Sequence, residues 1–274
     1  MNMNRHIRTV LTAQPAEDGA GVKLQRVFSS QAYVHTNPFV MLDEFGSDVA
    51  NDYIAGFPAH PHRGFDTITF MLNGSMTHED STGNKGVITD HGVQWMRTGR
   101  GIVHSEMPAQ TEGQMRGMQF WLNVPKVDKT LAPDYVGYTT EHTQTAAGNS
   151  VRVIAGEFAG QKTPFAPTHT RPGMYFVQFD HATTERFTLP EHDTALVYVL
   201  SGEVRIGEHT LKAQRLGVLS SGTELTLEAS PNAEVMVFHG ARIDEPMVQY
   251  GPFVMNTEAE IYQAFEDFQA GRFN

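Results

Sequence analysis

Two short segments of the chain each carry a pair of side chains suited to binding a metal ion. The first segment contains His60 and His62, and the second contains His104 and Glu106. Residues two apart on a β-strand point to the same face of a sheet, so each pair presents its donors together. Two such strands lying together would bring three imidazoles and one carboxylate to one point. We therefore predict a metal site formed by His60, His62, His104 and Glu106.

The donor types narrow the chemistry of this site. The chain has no cysteine, so neither a disulfide nor a thiolate–metal bond can form. Three neutral imidazoles and one carboxylate suit a divalent first-row metal. An octahedral ion would keep two positions for water, substrate or dioxygen, which is typical of a catalytic site. From the donors alone, Fe(II), Mn(II), Ni(II), Co(II), Zn(II) and Cu(II) all remain open.

The other histidines have no partner at a comparable spacing. For these residues we expect structural or exposed positions: His78, His91, His169 and His239. Arg63 and Arg97 fit two roles equally well, since an arginine near a ligand can orient it or form a structural salt bridge.

The composition describes a globular protein. Of the 274 residues, 40% are apolar and 19% are charged, so the chain can bury one large core or two ordinary ones. The net charge of −11 and the lack of a basic cluster beyond Arg97 and Arg100 argue against direct nucleic-acid binding. No run of about 18 apolar residues predicts a membrane span. Residues Met1–Val10 do not look like a signal peptide. We expect a cytoplasmic protein.

Strand patterns surround the candidate ligands. Asp66–Leu72 and Ser75–His78 flank Asn73-Gly74, which predicts a β-hairpin with an Asn-Gly turn. If the first strand runs unbroken from His60, then His62 shares a face with Asp66, Ile68 and Phe70; a bulge at Gly64 would shift this parity. Further strands are predicted at Val93–Met96, Ile102–Ser105 and Gly117–Val124.

One helix is predicted at the end of the sequence. Thr257 and Glu260 have the spacing of a capping box. An apolar stripe follows and stops before Gly271; it consists of Ile261, Ala264, Phe265 and Phe268.

The second half of the chain weakly repeats the first. Phe70–Met76 is echoed by Tyr198–Val204, and Gly92–Gly99 is echoed by Leu216–Gly222. These offsets align the four ligand positions with Thr188, Pro190, Leu227 and Ala229. The simplest hypothesis is a duplicated β-barrel with a metal site in one half only.

The ordered set of motifs resembles the pirin family over nearly the whole chain. The matching segments are His60–Asp66, Leu72–Gly74, Val93–Glu106, Gly251–Asn256 and Gln269–Phe273. The resemblance implies an all-β bicupin, with two facing antiparallel β-barrels of the jelly-roll type and a C-terminal helix. It implies an N-terminal cupin barrel with the metal site over residues 1–135. A C-terminal cupin barrel without a metal, plus the helix, would span residues 148–274.

The resemblance also implies a cofactor and an activity. It makes Fe(II) the preferred ion, bound by His60, His62, His104 and Glu106. Asp66 stands where the family more often has glutamate, and this change should not remove a metal ligand. Bacterial pirins resemble quercetin 2,3-dioxygenases, which cleave a flavonol with dioxygen and release carbon monoxide. In that case Glu106 would also accept the substrate proton, and the substrate pocket would draw on Phe70, Met71 and Trp95.

Two alternatives remain open beside the dioxygenase. Some pirins resemble redox-sensitive regulatory proteins, which would bind a transcription factor or a metabolic enzyme without turnover. A cupin isomerase or hydrolase that uses zinc as a Lewis acid is the weaker alternative. In each case we expect a monomer.

Overall fold

The computed structural model describes residues 3–164 and 169–273, which form β-strands for the most part. Along the first half of the chain the strands are β1 (Ile7–Thr12), β2 (Gln14–Asp18), β3 (Val22–Phe28), β4 (Phe39–Ser47), β5 (Phe57–His62), β6 (Phe65–Asn73), β7 (Met76–Asp80), β8 (Lys85–Ile88), β9 (Gly92–Arg97), β10 (Ile102–Pro108), β11 (Met115–Asn123), β12 (Asp134–Thr139) and β13 (His142–Gln144). Along the second half they are β14 (Ser150–Ala155), β15 (Glu157–Phe158), β16 (Gln161–Lys162), β17 (Gly173–Phe179), β18 (Thr183–Thr188), β19 (Thr194–Ser201), β20 (Glu203–Ile206), β21 (His209–Lys212), β22 (Arg215–Leu219), β23 (Glu224–Ala229), β24 (Ala233–Gly240), β25 (Val248–Tyr250) and β26 (Phe253–Met255). The helices are α1 (Tyr33–Thr36) and α2 (Glu258–Gln269), with short 3-10 turns at Ser30–Ala32 and Ala50–Asp52.

The chain divides into two compact units. The first unit comprises Pro15–Ser30, Phe39–Thr139 and Ile243–Asn274, and it contains all four predicted ligands. The second unit comprises Met1–Gln14, Gln31–Pro38 and Thr140–Arg242. The domain limits expected from the family resemblance, 1–135 and 148–274, remain a prediction.

Matching sheet orders confirm the internal duplication. The first unit has a seven-stranded sheet in the order β12-β9-β6-β11-β4-β3-β2 and a four-stranded sheet in the order β5-β10-β7-β8. The second unit has the orders β1-β22-β19-β24-β17-β14-β13 and β18-β23-β20-β21. The four-stranded sheets correspond strand for strand, and the seven-stranded sheets differ only in the strand at one edge.

The interior of the second unit is an apolar core formed by both of its sheets. Strands β17, β19 and β24 contribute one side, and β18, β20 and β23 contribute the other. Leu227 is the counterpart of His104, and it pairs with Glu185 on the neighbouring strand, whereas His104 pairs with His60. Two residues further along, Phe187, not Pro190, is the counterpart of His62. The alignment with Thr188 and Pro190 was wrong, because two local sequence matches do not fix the strand register between them.

The strand that begins before His60 does not run on through the site. Strand β5 ends at His62, β6 begins at Phe65, and the two belong to different sheets. The break occurs at Gly64, whose φ is +86° and whose Cβ position would lie 2.1 Å from the carbonyl oxygen of Val254. Only glycine fits such a position without strain. The predicted parity was therefore wrong: Phe65 contacts the ring of His62, whereas Asp66 and alternate residues after it lie on the opposite face.

The Asn-Gly turn is present but does not form a hairpin. Gly74 has a φ of +87°, as such a turn requires. However, β6 pairs with β9 and β11, whereas β7 pairs with β8 and β10. The turn thus carries the chain from the seven-stranded sheet to the four-stranded sheet of the first unit.

The C-terminal helix is confirmed, together with its capping box. The side chain of Thr257 accepts a hydrogen bond from the backbone N–H of Glu260, whose carboxylate in turn accepts from the backbone N–H of Thr257. Ile261 and Ala264 are buried in a cluster with Phe253 of β26. Among the described residues, no helix has the length and apolar character to span a membrane.

Candidate metal centre

Three of the four predicted ligands converge in the first unit. Strands β5 and β10 are antiparallel neighbours in the four-stranded sheet, and His104 lies directly opposite His60. One ring nitrogen from each of His60, His62 and His104 lies within 4.8 Å of the other two. The ring centroids are separated by 4.4 to 5.0 Å. Among the residues that the structure describes, this is the only such group of potential metal ligands.

Hydrogen bonds to carbonyl oxygens orient two of the imidazoles and leave one nitrogen of each available to bind a metal. Nδ1 of His60 donates to the carbonyl oxygen of Pro58 at 2.8 Å, and Nδ1 of His62 donates to that of Pro252 at 3.3 Å. A carbonyl can only accept, so the proton is on Nδ1 and the lone pair is on Nε2. Both ring nitrogens of His104 are buried and have no hydrogen-bond partner in the part of the chain that the structure describes. Burying such polar atoms without a partner is unfavourable, and a metal ion would satisfy the nitrogen that carries the lone pair.

Burial keeps two of these rings in the form that binds metals. Removal from water lowers the pKa of His62 well below its usual value, and the neighbouring His60 lowers it further. Burial likewise lowers the pKa of His104, with added contributions from His62 and His60. Because a metal needs the neutral imidazole, the three-histidine group fits a divalent ion.

Glu106 is buried on the same strand but is bound to other side chains. Its Oε1 accepts hydrogen bonds from Thr69 Oγ1 at 2.9 Å and from Gln94 Nε2 at 2.8 Å. Its Oε2 accepts one from Gln119 Nε2 at 2.7 Å. The carboxylate is not part of the group whose ligand atoms lie within 4.8 Å of one another. Its role as the fourth ligand therefore remains a prediction.

His78 lies beside the three-histidine group in a structural position, as expected. It is fully buried, and its ring centroid lies 5.4 Å from that of His104. Its ring stacks on Tyr135 at 4.4 Å, and its Nε2 lies 3.0 Å from Asp80. Asp80 lies two residues after His78, the same spacing as in the two ligand pairs, so the expectation that His78 has no partner at this spacing was wrong.

The histidines open onto a cavity of about 560 Å³ in the first unit. His60 and His62 form part of its wall. The wall also includes Arg26, Phe57, Gln119 and Trp121. The expected pocket residues Phe70, Met71 and Trp95 are instead fully buried in the core. Phe70 lies on the face of β6 opposite to the histidines, and so does Trp95, which pairs with Ile68 of that face. Met71 packs in the apolar cluster between the sheets.

Buried hydrogen bonds and a salt bridge hold the loop after His62 in place. The ammonium group of Lys129 is buried and donates hydrogen bonds to the carbonyl oxygens of Gly64 and Val254, at 2.7 and 3.0 Å. Arg63 donates to Asp267 at 2.7 Å and lies over the ring of Phe273. Arg63 therefore forms a structural salt bridge, one of its two expected roles. These contacts hold the backbone that directly follows His62.

Comparison with known proteins places this fold and site in a family. The pirin family model matches residues 21–122, and the model of the pirin C-terminal cupin domain matches residues 174–274. A Pseudomonas aeruginosa protein, provisionally named a quercetin 2,3-dioxygenase, is 42% identical over 281 residues that cover 99% of both chains. The chain belongs to the pirin family. A pirin-like protein of Caulobacter vibrioides is 41% identical over 273 residues, covering 98% of this chain and 99% of the relative.

Solved structures agree with the fold of this pirin-family chain. The crystal structure of quercetin 2,3-dioxygenase from Acinetobacter baumannii superposes with a TM-score of 0.91 at 31% identity and 99% coverage of each chain. The expectation of an all-β protein with cupin domains is thereby confirmed.

Proposed function

We propose that this protein is a metal-dependent dioxygenase that cleaves quercetin or a similar flavonol with dioxygen and releases carbon monoxide. One divalent ion, Fe(II) by preference, would be held by His60, His62, His104 and Glu106. The observation that carries the proposal is the three-imidazole group, which opens directly onto a cavity of about 560 Å³. The quercetin 2,3-dioxygenase fold match and the similarly named relative support it.

The cavity wall suits a flat, hydroxylated aromatic molecule. Its volume lies within the usual range for small-molecule sites. Phe57 and Trp121 offer apolar and aromatic surface, which would exclude water from a bound ring system. Arg26 forms a fixed polar part of the wall, because the buried carboxylate of Asp43 holds its guanidinium through two hydrogen bonds of 2.9 and 2.7 Å.

Glu106 is the residue that would handle a proton. A divalent iron would supply Lewis acidity and redox chemistry with dioxygen when bound. Three hydrogen bonds, from Thr69, Gln94 and Gln119, hold the Glu106 carboxylate in one orientation. In the proposed reaction Oε2 would give up its contact with the ion, accept the proton of the flavonol 3-hydroxyl and return it to the cleaved product.

The test is turnover by the metal-loaded protein. Protein loaded anaerobically with Fe(II) should bleach the flavonol absorbance of quercetin on admission of air and release carbon monoxide in equal amount. His62→Ala should abolish both signals. His209→Ala, which removes an exposed histidine of the second unit, should leave them unchanged.

Metal analysis provides a second check. The purified protein should hold about one ion per chain, and two ions would contradict a metal-free second unit. Absence of turnover with Fe, Mn, Ni, Co, Zn and Cu would refute the dioxygenase proposal. The regulatory-protein hypothesis would then take its place.

A further inference from the structure

The two oxygens of Glu106 are not equivalent. Oε1 accepts two hydrogen bonds, from Thr69 and Gln94, so both of its in-plane lone pairs are occupied. Oε2 accepts only the hydrogen bond from Gln119, at 2.7 Å, and keeps one lone pair. An ion bound by this carboxylate would therefore bind through Oε2 alone, and Gln119 would share that oxygen with the ion.

The orientation of the Gln119 amide follows from its partners. An ionised carboxylate can only accept, so Nε2 of Gln119 must face Glu106. The same nitrogen also lies 3.2 Å from Thr69 Oγ1, and both of its hydrogens are thereby used. The carbonyl oxygen of the amide, Oε1, has no hydrogen-bond partner among the residues that the structure describes. Because Gln119 lines the cavity, this acceptor is available to a molecule bound there.

Gln94 provides a matched comparison within the same site. It is also a glutamine, and it donates to the same carboxylate at nearly the same distance, 2.8 Å. Gln94 is fully buried, however, and does not line the cavity. The two glutamines therefore differ in the Glu106 oxygen that they bind and in their access to a cavity ligand.

We infer that Gln119 connects the metal-binding carboxylate to the substrate: its N–H positions Glu106 Oε2, and its carbonyl accepts a hydrogen bond from a flavonol hydroxyl other than the 3-hydroxyl. The second part rests on the proposed dioxygenase activity, whereas the first part rests only on the proposed role of Glu106 as a metal ligand. Gln119 is thus a positioning residue for the metal site and a specificity residue for hydroxylated substrates.

The first part is tested by metal binding without any flavonol. Co(II) titration, followed by its visible absorption, should give a dissociation constant about 10- to 100-fold higher in Gln119→Met than in the wild type, with altered band positions. Gln119→Asn keeps the amide but is one methylene shorter, so it should shift the affinity in the same direction. If both variants bind Co(II) with wild-type affinity and spectrum, Gln119 does not position Glu106.

The second part is tested by flavonol binding without dioxygen. With metal-saturated protein under nitrogen, Gln119→Met should raise the dissociation constant of quercetin about tenfold, the usual size for loss of one good hydrogen bond. It should change that of 3-hydroxyflavone, which has only the 3-hydroxyl, by less than about twofold. Gln94→Met should weaken metal binding yet leave the preference for quercetin over 3-hydroxyflavone intact.

The outcomes separate this inference from the dioxygenase proposal. Equal losses for both flavonols in Gln119→Met would overturn the substrate contact. Failure of the wild type to bind either flavonol would count against the proposed function and the substrate contact together. The Co(II) titration would still decide the positioning role.

Discussion

Replacing Asp66 by asparagine should stabilise the protein above neutral pH. Asp66 is buried, and Trp95 Nε1 donates to its Oδ2 at 3.0 Å. Its Oδ1 has no hydrogen-bond partner among the described residues. Burial raises the pKa of this carboxyl to about 7, although the hydrogen bond from Trp95 and the charge of Arg97 oppose the rise. The asparagine side chain would keep an acceptor oxygen for Trp95 and would carry no charge at any pH.

The size and sign of the effect follow from the two pKa values of Asp66. The change from 3.8 to about 7 corresponds to about 4 kcal/mol of folding free energy, at 1.36 kcal/mol per unit. Above pH 7 the carboxyl is ionised in both states, so the folded state bears the full free-energy cost of burying the charged carboxylate. Between pH 7 and pH 4 the folded state holds the proton and the unfolded state does not, so stability rises as the pH falls. The advantage of Asp66→Asn should therefore be about 4 kcal/mol at pH 8 and should vanish near pH 4.

Urea unfolding of metal-stripped protein at intervals from pH 4.5 to 9 measures this difference directly. Asp244→Asn, which removes an exposed carboxyl of the same unit, is the control and should show no such pH dependence. The reasoning is refuted if the free energies of unfolding of the wild type and Asp66→Asn run parallel over this range. Parallel curves would mean that Asp66 ionises normally despite its burial.

Three other substitutions test contacts that stabilise the loop after His62 and the C-terminal helix. Gly64→Ala should cost more than about 2 kcal/mol in thermal unfolding and weaken Co(II) binding, because φ is +86° and the new Cβ would meet the Val254 carbonyl. Burial lowers the pKa of Lys129 to about 7, so between pH 7 and 10 the unfolded state binds the extra proton and wild-type stability should rise with pH. In Lys129→Met this rise should be absent from urea unfolding at pH 7 and 9.5. Thr257→Ala removes the cap of α2 and should cost about 1 kcal/mol, with faster amide hydrogen exchange at Glu260; unchanged exchange would contradict the cap.

Local spacing was sufficient to predict the ligands and the helix, because each depends on residues close together in the chain. His60 and His62 are two apart on one strand, and the same-face rule holds there whatever the strand pairs with. The capping box of Thr257 and Glu260 is likewise complete within four residues. The same-face rule failed only at Gly64, where a positive φ ends one strand and turns the chain into the other sheet.

The surroundings of Glu106 could not be predicted in this way. Its donors Thr69, Gln94 and Gln119 come from β6, β9 and β11, three neighbouring strands of the opposite sheet. No fixed sequence spacing joins them, because the lengths of the intervening loops are free to vary. The register error at Thr188 has the same origin, since pairing between distant strands is set by the packing of whole sheets.

The comparison of the two units shows that the fold does not require the site. Both units have the same order in the four-stranded sheet, yet the second has Phe187 and Leu227 at the positions of His62 and His104. These side chains are buried in a continuous apolar core, which stabilises the second unit through the hydrophobic effect. In the first unit the same space holds imidazoles, amides and a carboxylate, whose desolvation is unfavourable unless hydrogen bonds or an ion compensate. The first unit should therefore gain stability on binding a metal ion, whereas the second has no comparable need, and this difference follows from side chains on one shared strand arrangement.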